Sequence, residues 1–332
     1  MTNTGGKVVA NLRQKFMSPK VLRWFPGHMT KGLKQMQQRL KKIDCILEVH
    51  DARVPISGRY ADFSRTLTGL KPHILVLNKK DLADERYTDS IVSTLNKEGL
   101  SNIIFTNLKN QYCKGVKQIL PLAKKLILNS QRYNRMEEES FSMMVIGVPN
   151  VGKSSLINCL RNNNLHLSGK ATPVGATAGV TRAVLTRIKI SEEPLMYLID
   201  TPGILVPSIN DIHAGFKLAL VGCLQDHVAG SHLLADYLLY WLNKNGRFEY
   251  VEKLGLLEPN DNVSYVLTFI AAKFEKTMRI KSYNNQKQVM PDLKFAADYF
   301  ISSFRKGDFG FYCLDIDLLE TSQNWKQKCL RG

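Results

Sequence analysis

The sequence predicts an α/β domain, with helices on both faces of a mostly parallel β-sheet, followed by an α-helical domain. Short apolar runs alternate with helix-length segments as far as about residue 212. One of these runs leads directly into a glycine-rich loop and then into a helical pattern. After about residue 213 the strand-like runs fade and apolar residues recur at helical spacing. These three observations indicate two domains of different class.

The elements follow from the order of these patterns. Strand-like runs lie at 45–49, 73–77, 103–105, 143–146, 184–190 and 195–199. Helix-length segments between them lie at 30–42, 84–98, 114–128 and 153–162. Because strands separated by helices are joined by crossovers, we expect them to be parallel. Helical patterns continue at 214–224, 233–242, 263–274 and 295–304. The expected organisation is therefore a basic segment 1–23, an α/β domain 24–212 and a helical domain 213–332.

The charge balance is strongly basic. Lys and Arg number 46 against 29 Asp and Glu, a net charge of +17. Ten of these basic residues and no acidic residue lie in the first 43 positions, so this end favours an anionic partner or a targeting role. Six scattered cysteines form no C-x-x-C pair, which argues against a zinc site and a disulfide framework. No apolar stretch approaches the roughly 20 residues of a membrane helix.

A phosphate-binding loop is predicted at residues 147–154, which match G-x-x-x-x-G-K-[ST] between a strand and a helix. Gly152 allows backbone N–H groups to curl around phosphate oxygens. Lys153 is expected to reach the β and γ phosphates, and Ser154 to bind Mg²⁺. The neighbouring loop and helix residues Asn150, Val151 and Ser155 are assigned to the same nucleotide site.

A second and a third motif identify the rest of the nucleotide. Residues 200–203, Asp-Thr-Pro-Gly, end a strand and offer Asp200 to Mg²⁺ and the Gly203 N–H to the γ-phosphate. Residues 78–81, Asn-Lys-Lys-Asp, supply Asn78, Lys79 and Asp81. The Asp81 carboxylate can accept guanine N1–H and N2–H, a pair that adenine lacks, and this argues against a P-loop ATPase or kinase. Thr106 and Asn107 are expected to contact guanine O6 through the backbone. The predicted ligand is GTP or GDP.

The order of these motifs predicts a circular permutation. Asn78 precedes Gly147 by 69 residues, whereas in an ordinary GTPase the guanine motif lies downstream of the phosphate loop. A permuted chain can still build the same site, because the ligand loops all lie at the carboxyl ends of the strands. The polar segment 129–140 is the natural join.

The chain strongly resembles the permuted ribosome-assembly GTPases of the bacterial large-subunit type from Trp24 onward. The signatures are Trp-Phe-Pro-Gly-His-Met at 24–29, Asp-Ala-Arg-Val-Pro at 51–55 with Ser57, the motifs at 78–81, 147–154 and 200–203, and Gly-Val-Thr at 179–181. The resemblance implies GTP hydrolysis coupled to a late step in large-subunit assembly, with the helical domain on rRNA. It also implies that Thr181 is the switch threonine that senses Mg²⁺ and γ-phosphate. Ala178 stands where many relatives have proline, which favours a looser switch.

The resemblance further points to the catalytic group and to a second cation. Ile204 occupies the place of the water-positioning glutamine of Ras-like enzymes, so slow intrinsic hydrolysis is expected. His28, in the signature at 24–29, is the expected group that orients the attacking water or stabilises γ-phosphate charge. Asn150 resembles the asparagine of potassium-stimulated GTPases, which implies K⁺ as an activator. Asp51 and Arg53 remain open between a structural ion pair and a functional role.

The resemblance implies a place in the mitochondrial matrix with peripheral contact at the inner membrane, and we expect the protein to be monomeric. Residues 1–23 are basic and acid-free, with apolar residues near one helical face, which is typical of a transit peptide. The expected partners are the mitochondrial large ribosomal subunit and its rRNA. Two alternatives stay open: a module that tethers rRNA or membrane and uses GTP as a structural ligand, and a cytoplasmic assembly GTPase of bacterial type.

Overall fold

The computed structural model describes residues 12–17, 38–59, 71–110, 112–132, 135–167, 169, 187–201, 211–281 and 287–319. The chain divides into two compact units. The sheet unit comprises Trp24–Cys223 and Phe311–Gly332, and the helical unit comprises Met1–Arg23 and Leu224–Gly310.

The sheet unit contains a six-stranded sheet in the order β3-β2-β1-β4-β6-β5. Its strands are β1 (Cys45–Asp51), β2 (His73–Asn78), β3 (Ile103–Phe105), β4 (Phe141–Ile146), β5 (Arg187–Ser191) and β6 (Met196–Asp200). All pairings are parallel except that of β5 with β6, which is antiparallel at the edge. Every residue of β1 and of β4 is buried, as expected for strands covered on both faces. The predicted α/β class is confirmed.

Helices connect the strands of this sheet. They are α1 (Thr88–Lys97), α2 (Lys114–Leu128) and α3 (Lys153–Leu165), and α4 (Ile212–Leu220) follows the last strand. The amphipathic pattern of α2 buries Ile119, Ala123 and Ile127 at positions i, i+4 and i+8. The predicted helix at 30–42 lies mostly outside the described residues, and a short 3₁₀ turn at Leu40–Lys42 is its described end.

The polar segment between α2 and β4 is fastened to the start of β1. Arg132 and Arg135 place their Nε atoms 3.3 and 3.1 Å from Oδ1 of the buried Asp44. The other Asp44 oxygen accepts from the Ser142 N–H at 2.7 Å. These contacts tie the predicted join of the permuted chain to two adjacent strands.

The helical unit contains α5 (Asp226–Ala229), α6 (Ser231–Lys244), α7 (Glu249–Leu254), α8 (Val263–Lys273) and α9 (Leu293–Lys306). It also contains an antiparallel hairpin of β7 (Thr277–Lys281) and β8 (Lys287–Pro291), which the sequence pattern did not predict. Residues 277–279 and 288–290 are all exposed, although polar and apolar residues alternate along Thr277–Lys281. Among the described residues no helix is long and apolar enough to cross a membrane.

The units divide after residues 23, 223 and 310, whereas the sequence patterns predict divisions after residues 23 and 212. Helix α4 and the C-terminal residues 311–319 belong to the sheet unit. Residues 311–319 are held there because Tyr312 forms a β-bridge with Ala83 and because Cys313 packs into the core beside α1. Residues 12–17 pack in the helical unit, where Arg13 lies 2.7 Å from Asp236 and 2.8 Å from Asp261. Ion pairs and long-range packing of this kind leave no local pattern in the sequence.

Candidate nucleotide site

The three nucleotide motifs meet at one edge of the sheet. Asp51 of β1 is in register with Asn78 of β2, and Val145 of β4 with Asp200 of β6. Because these strands are parallel, the residues that follow them emerge at their common carboxyl edge. The permuted order of the motifs along the chain therefore does not prevent their assembly.

The phosphate loop takes a backbone path that requires glycine at two positions. Gly147 and Gly152 have φ values of 142° and 107°. A Cβ atom on Gly147 would lie 2.2 Å from the Val49 carbonyl oxygen, and one on Gly152 would lie 2.4 Å from Asn78 Nδ2. Asn150 also adopts a left-handed conformation, with φ of 59°. The predicted loop is thus packed directly against β1 and the guanine motif, with the neighbouring Val151 fully buried.

Lys153, Ser154 and Asp200 surround the position expected for the phosphates and Mg²⁺. The Lys153 ammonium is buried and donates to the Val148 carbonyl at 2.8 Å. Burial lowers the pKa of Lys153 to about 8, although Asp200 opposes this shift. Ser154 Oγ lies 3.3 Å from Asp200 Oδ2 at the start of α3, where Ser155 follows. Burial raises the pKa of Asp200.

This arrangement fits a magnesium ion. Asp200 Oδ1 is buried and has no hydrogen-bond partner within the described residues. A hydroxyl and a carboxylate are suitable ligands for Mg²⁺, which usually takes one or two protein oxygens and completes its shell with phosphates and water. Ser154 and Asp200 would hold the ion, and Mg²⁺ would neutralise charge on the β and γ phosphates.

Asn78 connects the guanine motif to the phosphate loop. Its Nδ2 donates to the Val151 carbonyl at 2.7 Å, and its Oδ1 accepts from Thr106 Oγ1 at 3.3 Å and from the Leu108 N–H at 3.2 Å. Asn78 itself is buried. The side chain thereby joins three loops that come from three different strands. The sequence predicts that Asn78 binds the nucleotide, and its contacts in the structure show that it also holds the loops together.

Asp81 has the geometry expected of a group that recognises a base. Its Oδ2 lies 3.3 Å from the exposed Lys109 ammonium. Its Oδ1 is buried and has no hydrogen-bond partner within the described part of the chain. A buried acceptor without a hydrogen bond destabilises the folded protein unless a ligand donates a hydrogen bond to it. Lys109 lies in the loop between Asn107 and Asn110, and the sequence patterns did not indicate that it would pair with Asp81.

The expectation for Thr106 changes in the structure. Its N–H donates to the Leu77 carbonyl at 2.8 Å, and its own carbonyl accepts from the Lys80 N–H at 3.0 Å. Its backbone donor is therefore used by the sheet. Asn107 remains as the candidate donor to guanine O6, because its N–H donates to Cys113 Sγ, a weak acceptor, at 3.4 Å.

Asp51 and Arg53 form a buried ion pair that also includes the guanine motif. Arg53 donates to Asp51 from Nε at 3.0 Å and from Nη2 at 2.8 Å. Lys79 Nζ lies 2.9 Å from Asp51 Oδ2. Burial alone would raise the pKa of Asp51, but the two cations outweigh it and hold this pKa well below its usual range. The structural alternative for this pair is therefore supported, with Lys79 as an unforeseen third member.

Asn150 makes a contact that links the phosphate loop to the residues after α4. Its Nδ2 donates to the Gly222 carbonyl at 2.8 Å. This contact anchors the amide nitrogen, so the amide oxygen is the atom that would approach a cation. His28, Thr181 and Gly203 lie outside the described residues.

Comparison with known proteins gives the family. Residues 142–268 match the family model described as a 50S ribosome-binding GTPase. The chain is 54% identical over 300 residues to Mitochondrial GTPase 1 of Aedes aegypti, with 90% of this chain and 95% of that protein covered. It is 49% identical to Mitochondrial ribosome-associated GTPase 1 of Mus musculus, with 90% and 91% covered.

This chain belongs to the family of mitochondrial ribosome-associated GTPases. It is also 34% identical to Ribosome biogenesis GTPase A of Bacillus cereus, over 73% of this chain and 79% of that protein. The family resemblance found in the motifs is confirmed, and so is the assignment as a GTPase, an enzyme that hydrolyses GTP. GTPases of this family generally use Mg²⁺.

A solved structure of the same fold supports the architecture. The crystal structure of GNP-bound YlqF from T. maritima covers 84% of this chain and 95% of its own, with a TM-score of 0.53 and 22% identity. At this identity the likeness concerns the fold alone. The circularly permuted GTPase fold that the motif order predicted is confirmed.

Proposed function

We propose that this GTPase acts as a nucleotide-dependent switch in the assembly of the mitochondrial large ribosomal subunit and so supports mitochondrial translation. The observation that best supports guanine-nucleotide binding is Oδ1 of Asp81, which is buried without a hydrogen-bond partner among the described residues. Asn78, in the same motif, donates a hydrogen bond to the phosphate loop. The ribosomal step is supported by the names of the relatives and by the strongly basic composition of the chain.

The ligand set proposed for GTP combines contacts with positioning. Asp81 and Asn107 bind guanine, Lys153 and the N–H groups of residues 150–155 bind the phosphates, and Ser154 and Asp200 hold Mg²⁺. Asn78 and Lys79 position these loops. Thr181 and Gly203 complete the site as switch residues, on the strength of the family motifs alone. Potassium held by Asn150 is proposed as an activator.

An exchange of base selectivity tests the site. Xanthine carries a carbonyl where guanine carries the N2 amino group, so Asp81→Asn would offer its Nδ2 to that carbonyl. We expect Asp81→Asn to bind GTP at least tenfold more weakly and to bind xanthosine triphosphate better than the wild type does. The matched control is Asp89→Asn, since Asp89 lies in the first turn of α1 in the same unit. Unchanged GTP affinity in Asp81→Asn would refute the assigned base site.

The ribosomal role is tested by GTP turnover with and without mitochondrial large subunits. We expect stimulation by the subunit, and we expect His28→Ala to retain GTP affinity while losing most of that stimulation. A subunit that leaves turnover unchanged would instead favour the tethering module. Wild-type stimulated rates in His28→Ala would transfer the catalytic role to a group supplied by rRNA.

The proposed rRNA surface is the hairpin β7–β8 with the end of α8. Lys276 and Arg279 are exposed there, and the sequence adds Lys281 and Lys287. Lys273, at the end of α8, donates to the Leu254 carbonyl at 2.7 Å and thus has a structural contact. Phe274 is partly exposed beside Tyr299, at 4.5 Å between ring centroids. Reversing Lys276, Arg279 and Lys281 to glutamate should weaken subunit binding and reduce its salt dependence.

The proposed location is the mitochondrial matrix, with peripheral contact at the inner membrane and a monomeric state. The basic, acid-free N-terminal residues and the mitochondrial names of the relatives support import. Fusion of residues 1–23 to a fluorescent protein tests the signal, and diffuse cytosolic fluorescence would argue for the cytoplasmic alternative.

A further inference from the structure

The last described residues of the chain run across the base-binding side of the sheet unit. Residues 311–319, here named the strap, follow directly on the helical unit, which ends at Gly310. Tyr312 donates its N–H to the Leu82 carbonyl at 3.2 Å and accepts from the Asp84 N–H at 3.3 Å. The strap therefore adds a short β-bridge immediately after Asp81.

A buried carboxylate in the strap holds a second loop. Asp315 is fully buried, and its Oδ2 accepts from the Ile56 and Ser57 N–H groups at 2.8 and 2.9 Å. Its Oδ1 accepts from Ser57 Oγ at 2.5 Å. Lys217 of α4 lies 3.3 Å from the same oxygen and 2.6 Å from Asp317. Ser57 belongs to a signature that nucleotide chemistry by itself does not explain.

The loop held by Asp315 leads back to the guanine motif. The Leu314 N–H donates to the Arg53 carbonyl at 2.7 Å. The Arg53 side chain donates to the Asp51 carboxylate, and this carboxylate also binds the Lys79 ammonium. The strap thus restrains Asp81 from both sides, through Lys79 before it and through Leu82 after it.

We propose that Asp315 is a positioning residue for guanine recognition, which sets the aim of the Asp81 carboxylate through the strap and the loop at residues 52–57. Asp315 does not itself contact the nucleotide. The inference rests on the assignment of Asp81 as the base-binding residue. Because the strap continues from the helical unit, it is also a covalent route from that unit to the base site.

The test compares the affinities for GDP and inosine diphosphate. Hypoxanthine keeps N1–H but lacks the N2 amino group, so the ratio of the two affinities measures the two-point contact with Asp81. Asp315→Asn keeps only one acceptor oxygen, so an NH₂ group must face either the two backbone N–H donors or the Lys217 ammonium, and the loop loses an acceptor. We expect GDP affinity to fall about tenfold, within the usual range for coupled sites, and the GDP preference to fall with it. Ser57→Ala, which removes one bond, should show a smaller change in the same direction.

Two controls separate positioning from stability. Asp308→Asn removes an exposed charge from the helical unit and should leave both affinities unchanged. Ile127→Ala opens a cavity beneath α2, where Ile127 is fully buried, and should lower thermal stability without altering the GDP preference. If Asp315→Asn does not fold, Ser57→Ala and Lys217→Met give the same readout.

The outcomes distinguish this inference from the assignment on which it depends. If Asp81→Ala abolishes the GDP preference while the Asp315 and Ser57 variants retain it, the positioning role is refuted. If Asp81→Ala itself keeps the preference, the base site is wrong. A GDP preference lost in Asp315→Asn and kept in Ile127→Ala supports the proposal.

Discussion

Replacement of Asn78 by alanine tests how the nucleotide loops are held together. Asn78→Ala removes two bonds accepted by Oδ1, from Thr106 and Leu108, and leaves the carbonyl of the buried Val151 without its donor. Each lost bond contributes about 1 kcal/mol and an unsatisfied buried carbonyl costs about 1–3 kcal/mol, so the free energy of unfolding should fall by about 3–5 kcal/mol. The nucleotide loops should also lose their relative position, so we expect GDP affinity to fall more than tenfold.

Urea unfolding and titration with a fluorescent GDP analogue measure these two effects. The matched control is Asn102→Ala, which removes a single bond to the His73 carbonyl at 3.1 Å in the same sheet. That change should cost about 1 kcal/mol and leave GDP affinity intact. Asn78→Asp keeps the acceptor but places a buried carboxylate oxygen against the Val151 carbonyl, so it should destabilise the protein at least as much as Asn78→Ala. If Asn78→Ala were no less stable than Asn102→Ala and bound GDP as the wild type does, the linking role would be refuted.

Two further predictions concern charged side chains. The pKa of Lys153 is about 8, below its value of 10.5 in an unfolded chain, so the unfolded state binds more protons between these values. Stability without nucleotide should therefore rise with pH from about 8 to 10, while GDP affinity should fall as the ammonium is lost; Lys153→Met should show neither trend. Arg13→Ala removes the partly exposed contacts with Asp236 and Asp261 and should lower the free energy of unfolding by about 1–2 kcal/mol. The control Lys15→Ala changes an exposed residue and should leave this free energy unchanged. Equal melting temperatures for the two variants would contradict the docking of residues 12–17.

The Arg13 contacts also bear on the processing of the N-terminus. Cleavage after residue 23 would remove an arginine that satisfies two aspartates of the helical unit. Mass spectrometry of the mature protein is expected to find an N-terminus at or before Leu12. A mature chain that began at Trp24 would show that these contacts are dispensable.

The sequence by itself determined the fold class and the chemistry of the site. Strand and helix periodicities are local, and the spacing of Gly147, Gly152 and Lys153 is set by the backbone path around a phosphate. Asp81 and Asp200 were identified from motifs that lie at the ends of strands, and parallel strands bring such positions to one edge. The order of the motifs was enough to predict the permutation.

Only the tertiary structure decided how those residues are supported. The use of the Thr106 N–H by the sheet, the pairing of Lys79 with Asp51, and the burial of Asp315 beneath residues 56 and 57 all join segments far apart in the chain. The same holds for residues 12–17 and 311–319, which pack with units that their sequence position did not indicate. Such contacts depend on complementary charge and shape between distant segments, and no local periodicity records them. The hairpin β7–β8 was missed although polar and apolar residues alternate along Thr277–Lys281, because this run has only five residues and lies between helical patterns.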